Sequence, residues 1–238
     1  IETQLLNCQI DSSPFPHIVL NIPIDKSTLD NIKHHTKIDS KISGQGNGRT
    51  EYNFKLNQKE WHIIDSIGQL IIDKLNVELP KLTSENRYIT CIHHVIFWSD
   101  TSELDISDIH LDYLVRTNNE WECTDINEST QTVFSMQIYL PEDNTHSDLG
   151  TSLYLVPNDV NKIISDYPVT VPSMVSTGDV SKCTKVKQIP FIPGNAFIHA
   201  SSLNSWHQAP KIPEGYIRES IMIRWEYNLI KLKSQRLF

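Results

Sequence analysis

The hydrophobic pattern of the chain changes its period near residue 87, and this change constrains the fold most strongly. Upstream, apolar residues between Trp61 and Leu75 recur every three or four positions, which predicts an amphipathic helix. Asn57 can cap that helix, with Glu60 at its third position. Downstream, short runs of strand character alternate with Gly, Pro, Asn and Asp. Helices followed by many short strands predict an α+β, mainly β chain.

The strand-like runs are numerous enough for a closed double sheet. Eight strands are predicted over 88–98, 109–115, 132–140, 152–156, 169–175, 185–192, 195–200 and 217–227, with one short helix over 159–166. Further upstream we predict a strand over 14–24, a short helix capped by Ser27 with Asp30, and a glycine-rich loop over 37–50. No linker divides the chain, so we expect one domain over 1–238, with supporting helices in 1–87 and the β core in 88–238.

Composition excludes several classes of protein. The 238 residues carry a net charge of −8, which argues against nucleic acid as a partner because such binding needs a basic stripe. No apolar run is long enough to span a membrane, and residues 1–10 lack the pattern of a signal peptide. The four cysteines are widely spaced, which is typical of reduced thiols in a cytoplasmic protein.

Two H-x-D patterns are candidates for metal binding, His110/Asp112 and His146/Asp148. Residues two apart on a strand point the same way, so an imidazole and a carboxylate can meet one cation, and a distant third ligand completes a two-histidine, one-carboxylate face. Enough strand-like runs follow Asp112 to build a double sheet before a distal histidine, whereas too few follow Asp148. His146 lies in a polar turn, which we interpret as a solvated loop.

The C-terminal part carries further candidates. His199 ends an apolar strand, and His207 follows a polar loop. Arg218 and Ser220 form the only R-x-S in the chain and project to the same side of a strand. The planar fork of an arginine matches a carboxylate with two parallel hydrogen bonds, and a neighbouring hydroxyl can add a third. Arg224 has the same strand parity and could line the same interior.

Three motifs in order, H-L-D at 110–112, S-W-H at 205–207 and R-E-S at 218–220, resemble those of the iron(II)/2-oxoglutarate-dependent dioxygenase superfamily. The runs M-Q-I-Y-L at 136–140 and G-T-S-L-Y-L at 150–155 resemble the strand pair that this superfamily often places between its motifs. The resemblance covers residues 88–227. It implies a jelly-roll barrel, the double-stranded β-helix of cupin-like proteins, with the N-terminal helices packed on the outer face of its larger sheet.

The resemblance also implies the roles of individual residues. His110, Asp112 and His207 would bind Fe(II). Arg218 would hold the distal carboxylate of the cosubstrate 2-oxoglutarate, with help from Ser220 and Tyr139, and O2 would be the third reactant. Two residues are candidates for substrate contact: Trp206 beside the metal histidine, and Arg224.

The implied activity is hydroxylation of a C–H bond in an amino acid, a peptide or a small molecule, with succinate and CO2 as coproducts. Asp112 stands where halogenating members of the superfamily have a small residue, so hydroxylation is the expected outcome. We expect substrate specificity in the loops over 43–48 and 116–131, because loops on a rigid barrel usually carry it. The segment 116–131 is either a lid or a surface hairpin.

Other interpretations stay open at this point. A metal-binding cupin that acts as an isomerase, or a catalytically silent jelly roll that only binds a ligand, would need no R-x-S. His199 is a rival to His207 as the third metal ligand. The sequence does not indicate an oligomeric state.

Overall fold

The computed structural model describes most of the chain. The described residues are 1–39, 41–45, 49–54, 56–75, 87–97, 109–111, 115–116, 130–157, 175–176, 180–200 and 204–228. The helices are α1 (Glu2–Asn7), α2 (Lys26–Asp39) and α3 (Gln58–Leu75). The strands are β1 (His17–Asn21), β2 (Lys41–Gln45), β3 (Arg49–Asn53), β4 (Arg87–Phe97), β5 (His110–Leu111), β6 (Val115–Arg116), β7 (Thr130–Tyr139), β8 (Ser152–Leu155), β9 (Val175–Ser176), β10 (Thr184–Gln188), β11 (Asn195–Ala200), β12 (His207–Gln208) and β13 (Ile217–Asn228).

The strands form two antiparallel sheets that face each other. The larger sheet has the order β1-β11-β7-β13-β4-β3-β2, with β6 on β7, and the smaller has the order β10-β8-β12-β5-β9. Leu153 of the smaller sheet packs between the sheets against Tyr139 and Phe197 of the larger one. This arrangement confirms the predicted jelly-roll barrel of the double-stranded β-helix class.

Strand β13 shows how the larger sheet separates two environments. Its neighbours are β7, where Ser220 pairs with Tyr139, and β4, where Ser220 pairs with His94. Because side chains alternate along a strand, Arg218, Ser220 and Arg224 share the inner face toward the smaller sheet. Ile223 and Trp225 alternate to the outer face.

The outer face is covered by helices α1 and α3. Ile67 and Ile71 of α3 are buried in one apolar cluster with Ile223 and Trp225 of β13. The contact is close, since a Cβ built on Gly68 would lie 2.3 Å from Nε1 of Trp225. The N-terminal helices therefore pack on the outer face of the larger sheet, as expected.

Helix α2 is attached to the same outer face by an ion pair. Nζ of Lys33 lies 2.8 Å from Oε2 of Glu219, and the other carboxylate oxygen lies 3.5 Å from Nε2 of His93. Glu219 is buried on β13, directly between Arg218 and Ser220. The salt bridge therefore supports the sheet behind the two inner-facing residues.

The local prediction for α3 is confirmed. The backbone N–H of Asn57 donates to Glu60 Oε2 at 2.8 Å, and the N–H of Glu60 donates to Asn57 Oδ1 at 3.1 Å, which is the reciprocal pattern of a capping box. Ile67 and Ile71 of the predicted stripe are fully buried, while Trp61 and Ile64 are half-buried.

Two upstream predictions were wrong, and one helix was not predicted. Helix α2 is capped by Asp25, whose Oδ1 accepts the N–H of Thr28 at 2.7 Å, rather than by Ser27. The predicted loop over 37–50 includes the end of α2, the whole of β2 and the start of β3, because β2 pairs with β3 and β3 pairs in turn with β4. Helix α1 had no sequence signal. The predicted helix over 159–166 and most of the predicted strand over 169–175 lie outside the described residues.

The described residues also bear on membrane spans and on the cysteines. In the ranges given above, no helix is long and apolar enough to cross a membrane. Cys8, Cys91 and Cys183 are free thiols, and burial raises the pKa of Cys91 to about 12. The Cys91 thiol is therefore protonated at neutral pH and unreactive.

The packing of α3 on the sheet yields a stability prediction. Ile67→Ala removes a buried side chain from the outer-face cluster and should lower the free energy of unfolding by about 2–5 kcal/mol. Ile63→Ala, on the same helix but 48% exposed, should change it by less than about 0.5 kcal/mol. Urea unfolding followed by circular dichroism measures both. Equal effects of the two substitutions would mean that the helix buries a different face.

Candidate functional site

His110 and His207 form a pair on the inner face of the smaller sheet. They are direct cross-strand partners on β5 and β12, so their side chains project from the same face. The ring centroids lie 4.4 Å apart with an interplanar angle of 56°. His207 is buried and His110 is half-buried. Two imidazoles at this separation offer nitrogen ligands to a single metal ion.

The tautomer of His207 follows from a hydrogen bond to the backbone. Nδ1 of His207 lies 2.9 Å from the carbonyl oxygen of Ser205. A carbonyl can only accept, so Nδ1 carries the proton and Nε2 carries the lone pair in the neutral ring. Metal-binding histidines are commonly oriented by such a bond from the other ring nitrogen. His207 is therefore in the form that a metal ligand requires.

The third predicted ligand, Asp112, lies outside the described residues. Within the described ranges, no group of three or more His, Cys, Asp or Glu side chains could hold a metal ion. His199, the rival ligand, lies near the pair, with its ring centroid 5.0 Å from that of His207. Its ring stacks on Phe197 and its Nδ1 lies 3.5 Å from the hydroxyl of Ser135. His199 thus lines the wall of the larger sheet opposite the pair.

The second H-x-D pattern has a different geometry. His146 precedes a short 3₁₀ turn, Ser147–Leu149, that contains Asp148, so the two side chains do not share a strand face. The ring of His146 packs 4.2 Å from that of Tyr216, and Asp148 is exposed. The pattern belongs to a surface turn, in agreement with the sequence interpretation.

Arg218 forms a buried cationic site between the sheets. Its side chain is 1% exposed, and Cζ lies 5.4 Å from the ring centroids of both Tyr139 and Phe191. Nε donates to the carbonyl oxygen of Leu149 at 2.8 Å. These contacts fix the plane of the guanidinium, and a fixed, buried guanidinium recognises a carboxylate well.

A chain of polar side chains runs from Ser220 to Tyr139. Gln137 Nε2 donates to Ser220 Oγ at 3.1 Å, and Thr151 Oγ1 donates to Gln137 Oε1 at 3.2 Å. The Tyr139 hydroxyl donates to Thr151 Oγ1 at 2.7 Å and accepts the N–H of Thr151 at 3.0 Å. Burial raises the pKa of Tyr139, although the nearby Arg218 opposes the shift, so the phenol is neutral at physiological pH. Tyr139 therefore orders this region through Thr151.

Thr151 and Gln137 were not predicted from the sequence. Gln137 lies between Met136 and Ile138 on β7, and a polar side chain that faces a barrel interior needs a hydrogen-bond partner. Thr151 lies in the G-T-S-L-Y-L run, and its role is visible only from the hydrogen bond between its side chain and the hydroxyl of Tyr139. The structure also shows why Gly150 precedes it: a Cβ there would lie 1.6 Å from the carbonyl oxygen of Ile189.

The two predicted substrate contacts differ in position. Trp206 is buried with Ile109 in an apolar cluster, and each residue directly precedes one of the two histidines. Alternation therefore places Trp206 on the face of the smaller sheet opposite His207. Arg224 is 5% exposed and pairs with Ser135 on the inner face of the larger sheet. The structure thus brings Arg224, but not Trp206, to the interior that contains the histidine pair.

Comparison with known proteins finds similarity in structure alone. No model of a protein family matches the chain, and no curated protein matches it. The epimerase SnoN, solved with Fe3+, α-ketoglutarate and nogalamycin RO, aligns over 94% of this chain and 81% of its own, with 10% identity and a TM-score of 0.50.

Two further solved structures align less closely. A prolyl-4-hydroxylase from Pseudomonas putida aligns over 95% of this chain and 97% of its own, with 12% identity and a TM-score of 0.45. A prolyl hydroxylase from Trichoplax adhaerens, in complex with a hypoxia-inducible factor peptide, aligns over 100% and 91%, with 13% identity and a TM-score of 0.41. At these identities, the likeness to SnoN shows a shared jelly-roll fold.

Proposed function

We propose that this chain is an Fe(II)/2-oxoglutarate-dependent oxygenase that hydroxylates a C–H bond of an amino acid, a peptide or a small molecule. The observation that carries the proposal is that a histidine pair and a buried arginine share one barrel interior. A cupin that only binds a metal needs the histidines but has no use for the buried cation. Arg218 therefore favours a reaction with an anionic cosubstrate.

The residues present fit an iron centre. His110 and His207 would supply two nitrogen ligands, and Asp112, two residues after His110, would supply the carboxylate. When bound, iron would supply O2 activation coupled to oxidative decarboxylation of 2-oxoglutarate, with succinate and CO2 as coproducts. The hydrogen bond from His207 Nδ1 to Ser205 keeps the ring in the ligand tautomer without any rearrangement.

Arg218 would bind the far carboxylate of 2-oxoglutarate. A carboxylate in a partly dry interior is costly unless it is paired with a charge, and Arg218 supplies that charge at 1% exposure. Ser220 lies two residues along the same face, where its hydroxyl can add a hydrogen bond. Tyr139 would act as a positioning residue, because its ring supports the guanidinium and its hydroxyl is bonded to Thr151.

The interior beside Arg218 is built to exclude water. Leu149, Leu153, Ile189 and Phe191 are all at most 2% exposed and form one cluster with Tyr139. Hydrogen bonds and ion pairs are stronger in such a low-dielectric site than in water. The net charge of −8 supports a small molecule or peptide rather than nucleic acid as substrate. We propose a cytoplasmic location from the widely spaced cysteines.

The metal assignment predicts a specific pattern of Fe(II) affinities. His110→Ala, Asp112→Ala and His207→Ala should each weaken Fe(II) binding by at least about a hundredfold. Removal of a residue that only orients a metal ligand lowers metal affinity by up to about a hundredfold, and removal of the ligand itself should cost at least as much. Anaerobic calorimetric titration of Fe(II) measures the affinity, and circular dichroism checks that each variant is folded.

His146→Ala and Asp148→Ala are the matched controls, since they remove the other H-x-D pattern, and both should bind Fe(II) like the wild type. His199→Ala tests the rival ligand. A large loss in His199→Ala together with normal binding in His207→Ala would contradict the assignment.

The cosubstrate assignment predicts separate effects on 2-oxoglutarate and iron. Arg218→Ala should weaken 2-oxoglutarate binding about ten- to several-hundred-fold, because charge-assisted hydrogen bonds worth about 1.5–3 kcal/mol each are lost. Fe(II) affinity should barely change. Arg218→Lys should recover only part, since lysine keeps the charge without the bidentate geometry. Anaerobic titration of the Fe(II) protein, followed by its metal-to-ligand absorption band, measures this, and unchanged 2-oxoglutarate affinity in Arg218→Ala would refute the role.

A further inference from the structure

Four hydrogen-bonded side chains connect the two sheets beside Arg218. Thr151 directly precedes β8 of the smaller sheet, and its partners Gln137 and Tyr139 lie on β7. Ser220, on β13, pairs directly with Tyr139, whose ring supports the Arg218 guanidinium. Tyr139, Thr151 and Ser220 are at most 2% exposed. Buried hydroxyl groups need hydrogen-bond partners other than bulk water, so the direction of each bond in this chain matters.

The direction of the chain is set at its tyrosine end. The backbone N–H of Thr151 can only donate, and it donates to the Tyr139 hydroxyl at 3.0 Å. The Tyr139 hydroxyl in turn donates its own proton to Oγ1 of Thr151 at 2.7 Å. Oγ1 of Thr151 is therefore an acceptor on this side, and its proton is available for the next group in the chain.

The orientation of the Gln137 amide follows from that proton. Oγ1 of Thr151 donates to Oε1 of Gln137 at 3.2 Å. An amide that turns its oxygen to Thr151 turns its NH2 group the other way, where Nε2 donates to Oγ of Ser220 at 3.1 Å. Among the described residues, the reverse orientation would leave the proton of the Thr151 hydroxyl without an acceptor. The amide thus passes the direction set by Tyr139 on to Ser220.

Ser220 receives the last hydrogen bond of the chain. Within the part of the chain that the structure describes, the bond from Gln137 is the one hydrogen bond of the Ser220 hydroxyl, which leaves its proton to donate to a further group. Arg218 lies two residues away on the same inner face, so one anion can contact both the guanidinium and this hydroxyl. A hydroxyl that accepts one hydrogen bond also becomes a stronger donor in the next.

We propose that Gln137 and Thr151 are positioning residues that make Ser220 a hydrogen-bond donor to the far carboxylate of 2-oxoglutarate. The inference rests on the proposed function and deepens it, because neither residue has to touch the cosubstrate. With the opposite direction, Ser220 would donate to Gln137 and turn only its lone pairs to the carboxylate, which repel an anion. The direction of the chain therefore decides whether Ser220 assists Arg218 or opposes it.

Substitutions of similar volume break the chain at each link. Gln137→Met and Thr151→Val remove the polar groups, and Ser220→Ala removes the donor itself. Ser220→Ala should weaken 2-oxoglutarate binding at least about tenfold, and the other two about three- to tenfold, while Fe(II) affinity stays within about twofold. Thr151→Ser, which keeps the hydroxyl, should bind 2-oxoglutarate like the wild type. Anaerobic titration of the Fe(II) protein, followed by its metal-to-ligand absorption band, measures each affinity.

Two readouts distinguish positioning from a general loss of structure. If Gln137 acts through Ser220, the double variant Gln137→Met/Ser220→Ala should lose no more than about twofold beyond Ser220→Ala alone. The second readout is the affinity for 2-oxopentanoate, a five-carbon 2-oxo acid that lacks the far carboxylate, which both single variants should bind like the wild type. Gln69→Met is the matched control, because it removes an exposed glutamine amide that donates to Asp73 on α3, and it should change neither affinity.

Three outcomes would overturn the proposal: unchanged 2-oxoglutarate affinity in Gln137→Met, losses that multiply in the double variant, or equal losses for 2-oxoglutarate and 2-oxopentanoate. Failure of the wild type to bind 2-oxoglutarate, seen before any variant is compared, would instead contradict the proposed function. The two failures are therefore distinguishable in one series of titrations. Melting temperatures of the variants show whether a loss reflects unfolding.

Discussion

The alternation of side chains along β13 is the constraint on which the rest of the structure depends. One strand contributes Ile223 and Trp225 to the helix-covered core and presents Arg218, Ser220 and Arg224 to the opposite interior. A shift of one residue in its register would exchange the two sets, burying guanidinium groups among aliphatic side chains. Pairing with β4 over 217–227 and unbroken pairing with β7 over 220–225 oppose such a shift. The stability of the barrel and the chemistry of its interior are therefore set by the same register.

Burial of polar groups is costly, and the sheet framework offsets this cost with specific contacts. Arg218 is covered by two aromatic rings and a backbone carbonyl, and Glu219 on the reverse face is neutralised by Lys33. Buried ion pairs of this kind add little net stability, but removing one partner is strongly destabilising. Their value is that they hold the interior groups in one arrangement before any ligand arrives.

Sequence patterns predicted those features that depend on local chemistry. The capping box of Asn57 and Glu60 and the apolar spacing of α3 are local, and the structure reproduces both. The β2–β3 hairpin was missed because, besides the pairing of its own two strands, it depends on the pairing of β3 with β4, which is distant in sequence. Thr151 was missed because its role depends on a hydrogen bond with Tyr139, which lies on another strand. The orientation of Trp206 was missed because it follows from side-chain alternation next to β12, and a strand of two residues is too short to show a hydrophobic period. Long-range pairing decides all three.

The central claim is that one barrel interior binds iron at the histidine pair and 2-oxoglutarate at Arg218. The most direct test is a crystal structure of the protein loaded anaerobically with Fe(II) and 2-oxoglutarate, with anomalous diffraction recorded at the iron absorption edge. We predict one anomalous peak within bonding distance of His110, Asp112 and His207, and a 2-oxoglutarate carboxylate paired with the Arg218 guanidinium. An iron peak at His146 or on the His199 side without His207, or 2-oxoglutarate bound away from Arg218, would contradict the account.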